Sequence, residues 1–418
     1  MLPPKHNQNL FKHLRIHWQT HKPLGWSQLT HRKIRLLVAI TGVAFSNILI
    51  FTQLGLRAML FDGVTLVPDH LQGNLFLVSA YAPNIDLGNF PKIYLYQADA
   101  IAGVTSASPL YIEFANWVNP LDLAQASTEP DDEEAPQPDF ELFPNTVKIL
   151  AFNPTQPVLA IPAVDQQLET LHSPGAVLYD QLGQEKLGPI PSLFAQNGSV
   201  STLMDNRRLH VTGLFSLGST LFDNGHVVMS DWNYAQWYGI ESLEKVNVGV
   251  LTLAPNADLE TVRASLKAAL PRSISVLTQA ELAAAEQTFR ASLPNGKVLN
   301  FGAMMGFIIG VVIVYQILYT DISDHLPEYA TLKAMGYSDK RLLSAILQEA
   351  LLLAVLGFIP GYLASYAVYE LLFLITRVPI TMKTTVAINV FLITLIMCAI
   401  SGAIAMNKLR SADPADVF

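Results

Sequence analysis

The chain has 418 residues, 51% of them apolar and 14% charged, with a formal net charge of −8. That balance is shifted toward a membrane protein and away from a soluble enzyme, and the acidity argues against nucleic acid as a partner. The single cysteine, Cys398, lies in an apolar run, so it excludes an intrachain disulfide and a multi-cysteine metal site and reads as a packing residue.

Residues 1–35 carry Lys5, Lys12, Arg15, Lys22, Arg32, Lys33 and Arg35 and no acid, a basic leader that a negative membrane surface attracts. Within it, residues 9–20 place Leu10, Leu14 and Trp18 at helical spacing, as in an interfacial helix. His13, His17 and His21 read there as a weakly basic face rather than as a metal set. Residues 36–56 are apolar for longer than a signal-peptide core and predict a retained transmembrane anchor.

Residues 57–300 are long enough for a folded α+β domain, with a mobile acidic loop at residues 124–138 that holds Glu129, Asp131, Asp132, Glu133 and Glu134. Alternation predicts strands at residues 74–79, 93–96, 147–152, 158–161, 176–179, 209–215 and 246–253. A strand, helix and strand are expected across residues 74–114. Toward the end of the segment the order is strand 246–253, helix 259–270, strand 273–277 and helix 279–291, with Asp258 and Thr278 as N-caps. The two ends are expected to pair into one lobe near the membrane, with the middle as an inserted β-rich lobe. Asp62, Asp69, His70 and Asp86 lack ligand spacing and read as an exposed acidic stalk.

Residues 301–320, 350–375 and 387–406 predict three further spans. His31, Arg32, Lys33 and Arg35 before the first span set the N-terminus in the cytoplasm. Residues 57–300 and the turn 376–386 then lie outside, and the loop 321–349 and tail 407–418 inside. Lys333, Lys340, Arg341, Lys408 and Arg410 agree with this orientation, whereas Arg377 and Lys383 oppose it. The expected fold class is an α-helical membrane protein with four transmembrane helices and a large α+β extracytoplasmic domain inserted between the first and second.

No P-loop, H-E-x-x-H or G-x-S-x-G motif occurs. S-L-E-K at residues 242–245 has neither the S-D-N nor the K-T-G partner of penicillin-binding enzymes, so no catalytic residue and no metal site is expected. The inner loop is more informative. In D-H-L-P-E-Y-A-T-L-K-A-M-G-Y-S-D-K-R, Pro327 suits a first helical turn, Glu328 its positive end and Gly336 its stop, which predicts a short helix over residues 327–335. Tyr329, Leu332 and Met335 recur on it at three-residue spacing, an apolar stripe for which a partner protein is the natural cover. Glu349 opens the third span, where the interface and anchoring of the coupling helix are its expected place and role. Gly357, Pro360 and Gly361 interrupt that span and predict a bend.

E-Y-A-T-L-K-A-M-G resembles the R-E-I-G-I-L-R-A-L-G segment of the MacB and FtsX class of ABC transporter permeases, the type VII class. The matching positions are Glu328, Leu332, Lys333, Ala334, Met335 and Gly336; Pro327, Tyr329, Ala330 and Thr331 depart while preserving the apolar face. Residues 24–45, the run I-L-Q-E-A-L-L-L-A-V-L-G and the tail L-R-S-A-D-P-A-D-V-F are similar to the same class, and within it to the cyanobacterial DevC permeases. The resemblance implies a non-catalytic permease that binds no cofactor itself, with ATP and Mg on a separate DevA-like ABC ATPase. It further implies a homodimer, a DevB-like periplasmic adaptor, a TolC-like outer-membrane channel and export of a lipid such as a glycolipid from the bacterial inner membrane. Two rival readings are an FtsX-like regulator that activates an extracytoplasmic enzyme without transport, and a membrane-tethered enzyme.

Overall fold

The computed structural model describes residues 33–126, 145–220, 223–336, 338–376 and 382–411. The expected interfacial helix with His13, His17 and His21, residues 127–138 of the acidic loop, and the last residues of the tail lie outside them. The chain forms two compact units, one of Met1–Arg57, Val298–Leu371 and Ile380–Phe418, the other of Ala58–Lys297 and Leu372–Pro379.

Helix α1, Lys33–Asp69, contains the expected first span and continues thirteen residues beyond its predicted end. Residues 57–69 are therefore helical, and Asp86, also expected to be exposed, has a side chain only 16% exposed. His70 Nδ1 lies 2.8 Å from the Leu66 carbonyl at its end. Among the described residues no three His, Cys, Asp or Glu side chains are grouped to hold a metal.

The strands that follow are β1 (Leu75–Ser79), β2 (Phe90–Pro91), β3 (Val104–Asn116), β4 (Thr146–Phe152), β5 (Ala176–Asp180), β6 (Val200–Met204), β7 (Arg207–Phe215), β8 (His226–Ser230), β9 (Lys245–Val246), β10 (Val248–Leu253) and β11 (Ile274–Leu277). Nine of them form one sheet in the order β11-β1-β10-β3-β4-β8-β5-β7-β6, and β2 pairs with β9. All pairs in the large sheet are antiparallel except β4 with β8 and β5 with β7. The long strand β3 joins two sets: residues from Val104 to Leu110 pair with β10, and Tyr111 to Asn116 with β4. Strands from the two ends of the segment thus meet at one side of the sheet, and strands from its middle continue the same sheet. Alternation sends Leu75, Leu77, Ile149 and Ala151 into one apolar cluster and Phe76, Leu150 and Phe152 into another.

Two strand expectations fail. Residues 93–96 lie in helix α2, Ile93–Asp99, which buries Leu95 and Ala98 and leaves Ile93 and Tyr96 exposed. The run I-Y-L-Y mimics a two-residue period over four positions, too few to separate it from a helical one. Residues 158–161 lie between Pro157 and Pro162, which lack N–H donors, and only an isolated bridge from Leu159 to Leu71 forms there.

Helices α3 (Pro120–Ala126), α4 (Pro162–Asp165), α5 (Ile190–Asn197), α6 (Asp231–Tyr238), α7 (Leu259–Ala269) and α8 (Gln279–Ser292) complete this unit. Asp258 caps α7 by accepting the Thr261 N–H at 2.9 Å, and Thr278 closes a capping box with Glu281 on α8, as expected from their sequence positions.

The remaining helices are α9 (Pro294–Asp324), α10 (Leu326–Ala334), α11 (Asp339–Thr376) and α12 (Thr384–Ser411). With α1, helices α9, α11 and α12 supply four stretches long and apolar enough to cross a membrane among the described residues. Their apolar residues divide in two. One set, including Val43, Ile50, Val314, Leu353, Met397 and Cys398, is buried between helices. The other stays exposed in stripes at four-residue spacing: Leu351, Val355, Ile359 and Leu363 on α11, and Ile388, Leu392, Ile396, Ile400 and Ile404 on α12. Stripes that long are costly in water and fit a hydrocarbon surrounding.

Candidate coupling helix and helix-packing interface

Helix α10 starts and stops where its residue types require. Pro327 sits in its first turn, where a missing N–H is harmless, and Glu328 follows with its Oε1 3.1 Å from His325 Nδ1. Gly336 lies two residues beyond the helix at φ +89, a conformation that glycine adopts without a Cβ penalty. The expected stripe is divided. Tyr329 is only 2% exposed and joins the interhelical cluster that contains Ile322, Leu342 and Ile346, whereas Met335 is 64% exposed. Tyr329 is therefore covered by the chain's own helices, because the loop is short enough to fold its first turn back onto α9 and α11. Glu328 is exposed as well, so α10 and the residue after it present Glu328 and Met335 outward. The side chains of Leu332, Lys333 and Ala334 lie outside the described residues.

Glu349 is turned toward the neighbouring helices. It lies ten residues into α11 and is 3% exposed, with its carboxyl hydrogen-bonded to that of Asp321 on α9. The helix begins at Asp339, before the apolar run, and its register turns this residue inward. In an apolar surrounding a carboxyl group needs such a partner.

Gly357, Pro360 and Gly361 all lie within helix α11. Helix α11 runs continuously through Pro360. Its two glycines form a notch for α1: a Cβ on Gly357 would lie 2.5 Å from Val43 Cβ, and one on Gly361 2.8 Å from Asn47 Cβ and 3.2 Å from the Ala44 carbonyl oxygen. Helix α9 offers a second notch, since Gly302, Gly306 and Gly310 recur every four residues and face Gln53, Ile50 and Ser46 of α1. Polar groups fix the register between helices: Thr394 of α12 donates to Asn47 Oδ1 at 2.6 Å, Ser401 to the Val311 carbonyl at 2.9 Å and Tyr369 to the Phe51 carbonyl at 2.6 Å.

The α+β unit holds a buried ionic cluster that sequence reading missed. Lys148 alternates with Leu150 and Phe152 on β4 and so points into an apolar face, and the parallel register sets it beside His226 on β8. Two cations side by side need an anion between them. Asp223 supplies it, with Oδ2 3.2 Å from Lys148 Nζ and 3.2 Å from His226 Nε2, while Thr220 donates to its Oδ1. Asp86 lies 3.3 Å from Lys148 Nζ, and Asp180 Oδ2 3.4 Å from His226 Nδ1. Burial opposes charge on Lys148 and His226, but the carboxylates around each outweigh it and hold both above their ordinary values. For Asp223 burial is likewise outweighed, first by Lys148 and then by His226, which keep its carboxyl well below the usual range. The one sequence signal was a lysine in the otherwise apolar strand V-K-I-L-A-F.

Comparison with solved structures finds likeness at low identity. The chain is similar to the crystal structure of the periplasmic region of MacB from Actinobacillus actinomycetemcomitans, with 9% identity, 53% of this chain and 94% of that one covered, and a TM-score of 0.32. It is also similar to the extracellular domain of the noncanonic ABC-type transporter YknZ from Gram-positive bacteria, with 8% identity, 49% and 99% covered, and a TM-score of 0.29. Residues 300–414, which hold α9 from its seventh residue onward together with α10, α11 and α12, match the model of the FtsX-like permease C-terminal family.

Proposed function

We propose that this chain is the membrane permease subunit of an ATP-driven ABC exporter of the MacB and FtsX class, and that a separate ABC ATPase docks on α10. The observation that supports this reading is the match of residues 300–414 to the FtsX-like permease C-terminal family, with Glu328 exposed on α10 and Met335 exposed just past its end. Leu332, Lys333 and Gly336 complete the coupling segment. Nucleotide and Mg belong to the ATPase, and this chain carries no catalytic group of its own. Its N- and C-termini lie in the cytoplasm of a bacterial cell, and residues 57–300 lie on the far side of the inner membrane.

In this mechanism the chain works as a homodimer. Closure of the ATPase pair moves the two α10 helices. Tyr329 anchors each one to its own helices, so the displacement passes to α9 and α11, and through the glycine notches of α11 and α9 to α1. The lobes outside then drive a lipid cargo, a glycolipid in a DevBCA-like system, into an adaptor and a TolC-like channel.

The test replaces Leu332 and Met335 together by glutamate. The variant should fold and insert normally, lose ATPase copurification from native membranes and lose export. Unchanged copurification and export would remove α10 from the mechanism. A cell-wall hydrolase bound outside, in place of an adaptor, would favour the regulatory role over transport.

A further inference from the structure

Residues 84–88 form a loop in the α+β unit that is held from three directions, two through its backbone and one through the Asp86 side chain. Helix α8 supplies Glu286, whose Oε1 accepts the Ile85 N–H at 2.8 Å. Asn247, beside β10, donates from Nδ2 to the Ile85 and Gly88 carbonyls at 3.1 and 3.0 Å, and its Oδ1 accepts the Ile112 N–H at 2.9 Å. Strand β4 supplies Lys148, paired with Asp86. A small cavity lies between loop and helix, lined by Ala82, Ile85, Gly88, Leu282, Ala285 and Glu286 among others. The loop's Ile85 is buried while Leu87 is 70% exposed, so the anchored backbone carries an apolar side chain outward.

The three anchors differ in what a proton can do to them. Asn247 is neutral, with both of its amide N–H donors used. Lys148 keeps its charge, because the carboxylates of Asp223 and Asp86 outweigh burial. Glu286 is 5% exposed, and four influences act on it besides burial: the Ile85 N–H, Asp86 on the loop, Lys148 on β4 and Arg290 one turn along α8. Burial is the largest of these and Asp86 adds to it; the Ile85 N–H, Lys148 and Arg290 act against them, and the carboxyl is pushed up to about 7.

We propose that Glu286 and the loop 84–88 form a proton-operated latch, closed while Glu286 holds its proton and released when it gives the proton up. With the proton on, the carboxyl oxygen still accepts the Ile85 N–H and no charge is buried. Once the proton leaves, the closed latch confines a carboxylate beside Asp86 in a poorly hydrated corner, and separation of the loop from α8 lets water reach it. A group whose bound-state value is raised favours the closed form at low pH and loses that preference as pH rises through the raised value. Alkalinisation of the compartment around this unit therefore frees the segment that bears Leu87.

Hydrogen exchange read by mass spectrometry on the full chain in detergent tests this, from about pH 5.5 to about 8.5 with rates corrected for their intrinsic pH dependence. Peptides over residues 80–90 should lose protection with a midpoint near 7, while those over β4 stay protected. Glu286→Gln, which keeps the acceptor and removes the titration, should hold the loop protected throughout. As a second readout, the protonated-carboxyl infrared band that is present in the unaltered chain and missing from Glu286→Gln should fade with the same midpoint. Flat protection across the range, an unchanged step in Glu286→Gln, or an infrared midpoint apart from the exchange midpoint would overturn the latch.

Discussion

At φ +89, Gly336 holds a backbone conformation that crowds a Cβ against the neighbouring carbonyl, although nothing else lies within 4 Å of where that Cβ would stand. The cost of Gly336→Ala is thus conformational, about 1–2 kcal/mol. A lower midpoint of thermal unfolding in detergent should report it, with no change at an exposed position such as Thr331→Ala. Lys148 presents the opposite case, a side chain that matters for its neighbours. Lys148→Met removes the cation that Asp86 and Asp223 share, leaving Asp223 with His226 alone, and should destabilise the α+β unit by about 3–5 kcal/mol in denaturant titration.

The same cluster sets a pH dependence with a definite sign. Asp223, held below its ordinary value, contributes stability that is present above the unfolded carboxylate value and is lost on acidification through the folded one. His226, held above its ordinary value, contributes stability that is present below the unfolded histidine value and is lost as pH rises through the folded one. Glu286 acts against the first of these, weakening the fold between the ordinary glutamate value and about 7. Lys148→Met removes the largest influence that depresses Asp223, so its acid unfolding should begin at a higher pH than that of the unaltered chain.

Among the elements, α1 is constrained by two neighbours, since glycines of α9 and of α11 both face it. Gly357→Val and Gly361→Val put branched side chains against Val43 Cβ and the Ala44 backbone, neither of which can swing away. Each should cost about 1–3 kcal/mol by forced overpacking, measured as lowered thermal stability in detergent. Gly402→Ala, whose Cβ would meet Ala350 Cβ at 3.3 Å, should be far milder. Helix α10 makes the complementary point. Tyr329→Ala should destabilise the helical unit by about 3 kcal/mol through the cavity it leaves, whereas Met335→Ala should leave stability unchanged and affect only partner binding. A Tyr329 variant as stable as the parent would remove its anchoring role.

For the whole molecule, the stripes of exposed Leu, Val and Ile on α11 and α12 argue for a bilayer more strongly than composition does, because they are the faces that the chain's own helices leave uncovered. The proposed orientation adds a sidedness that labelling can check. Cys398 is fully buried, so single reporter cysteines at Tyr81 and Thr331 can be read against a silent background. Membrane-impermeant maleimide should reach them from opposite sides in sealed vesicles, and labelling from one side alone would refute the arrangement.

Local features were legible in the residues themselves: four apolar segments of spanning length, the caps at Asp258 and Thr278, and the short helix that ends before Gly336. Each depends on neighbours within a turn or two of chain, where residue type and spacing act directly. Tertiary structure alone decided that Tyr329 turns inward, that Glu349 is buried against Asp321, that Gly357 and Gly361 receive α1, and that residues from Asp86 to His226 converge on Lys148. Periodicity encodes which face of an element is apolar or which strand position points inward, but what covers that face comes from segments far along the chain, and local spacing carries no record of them.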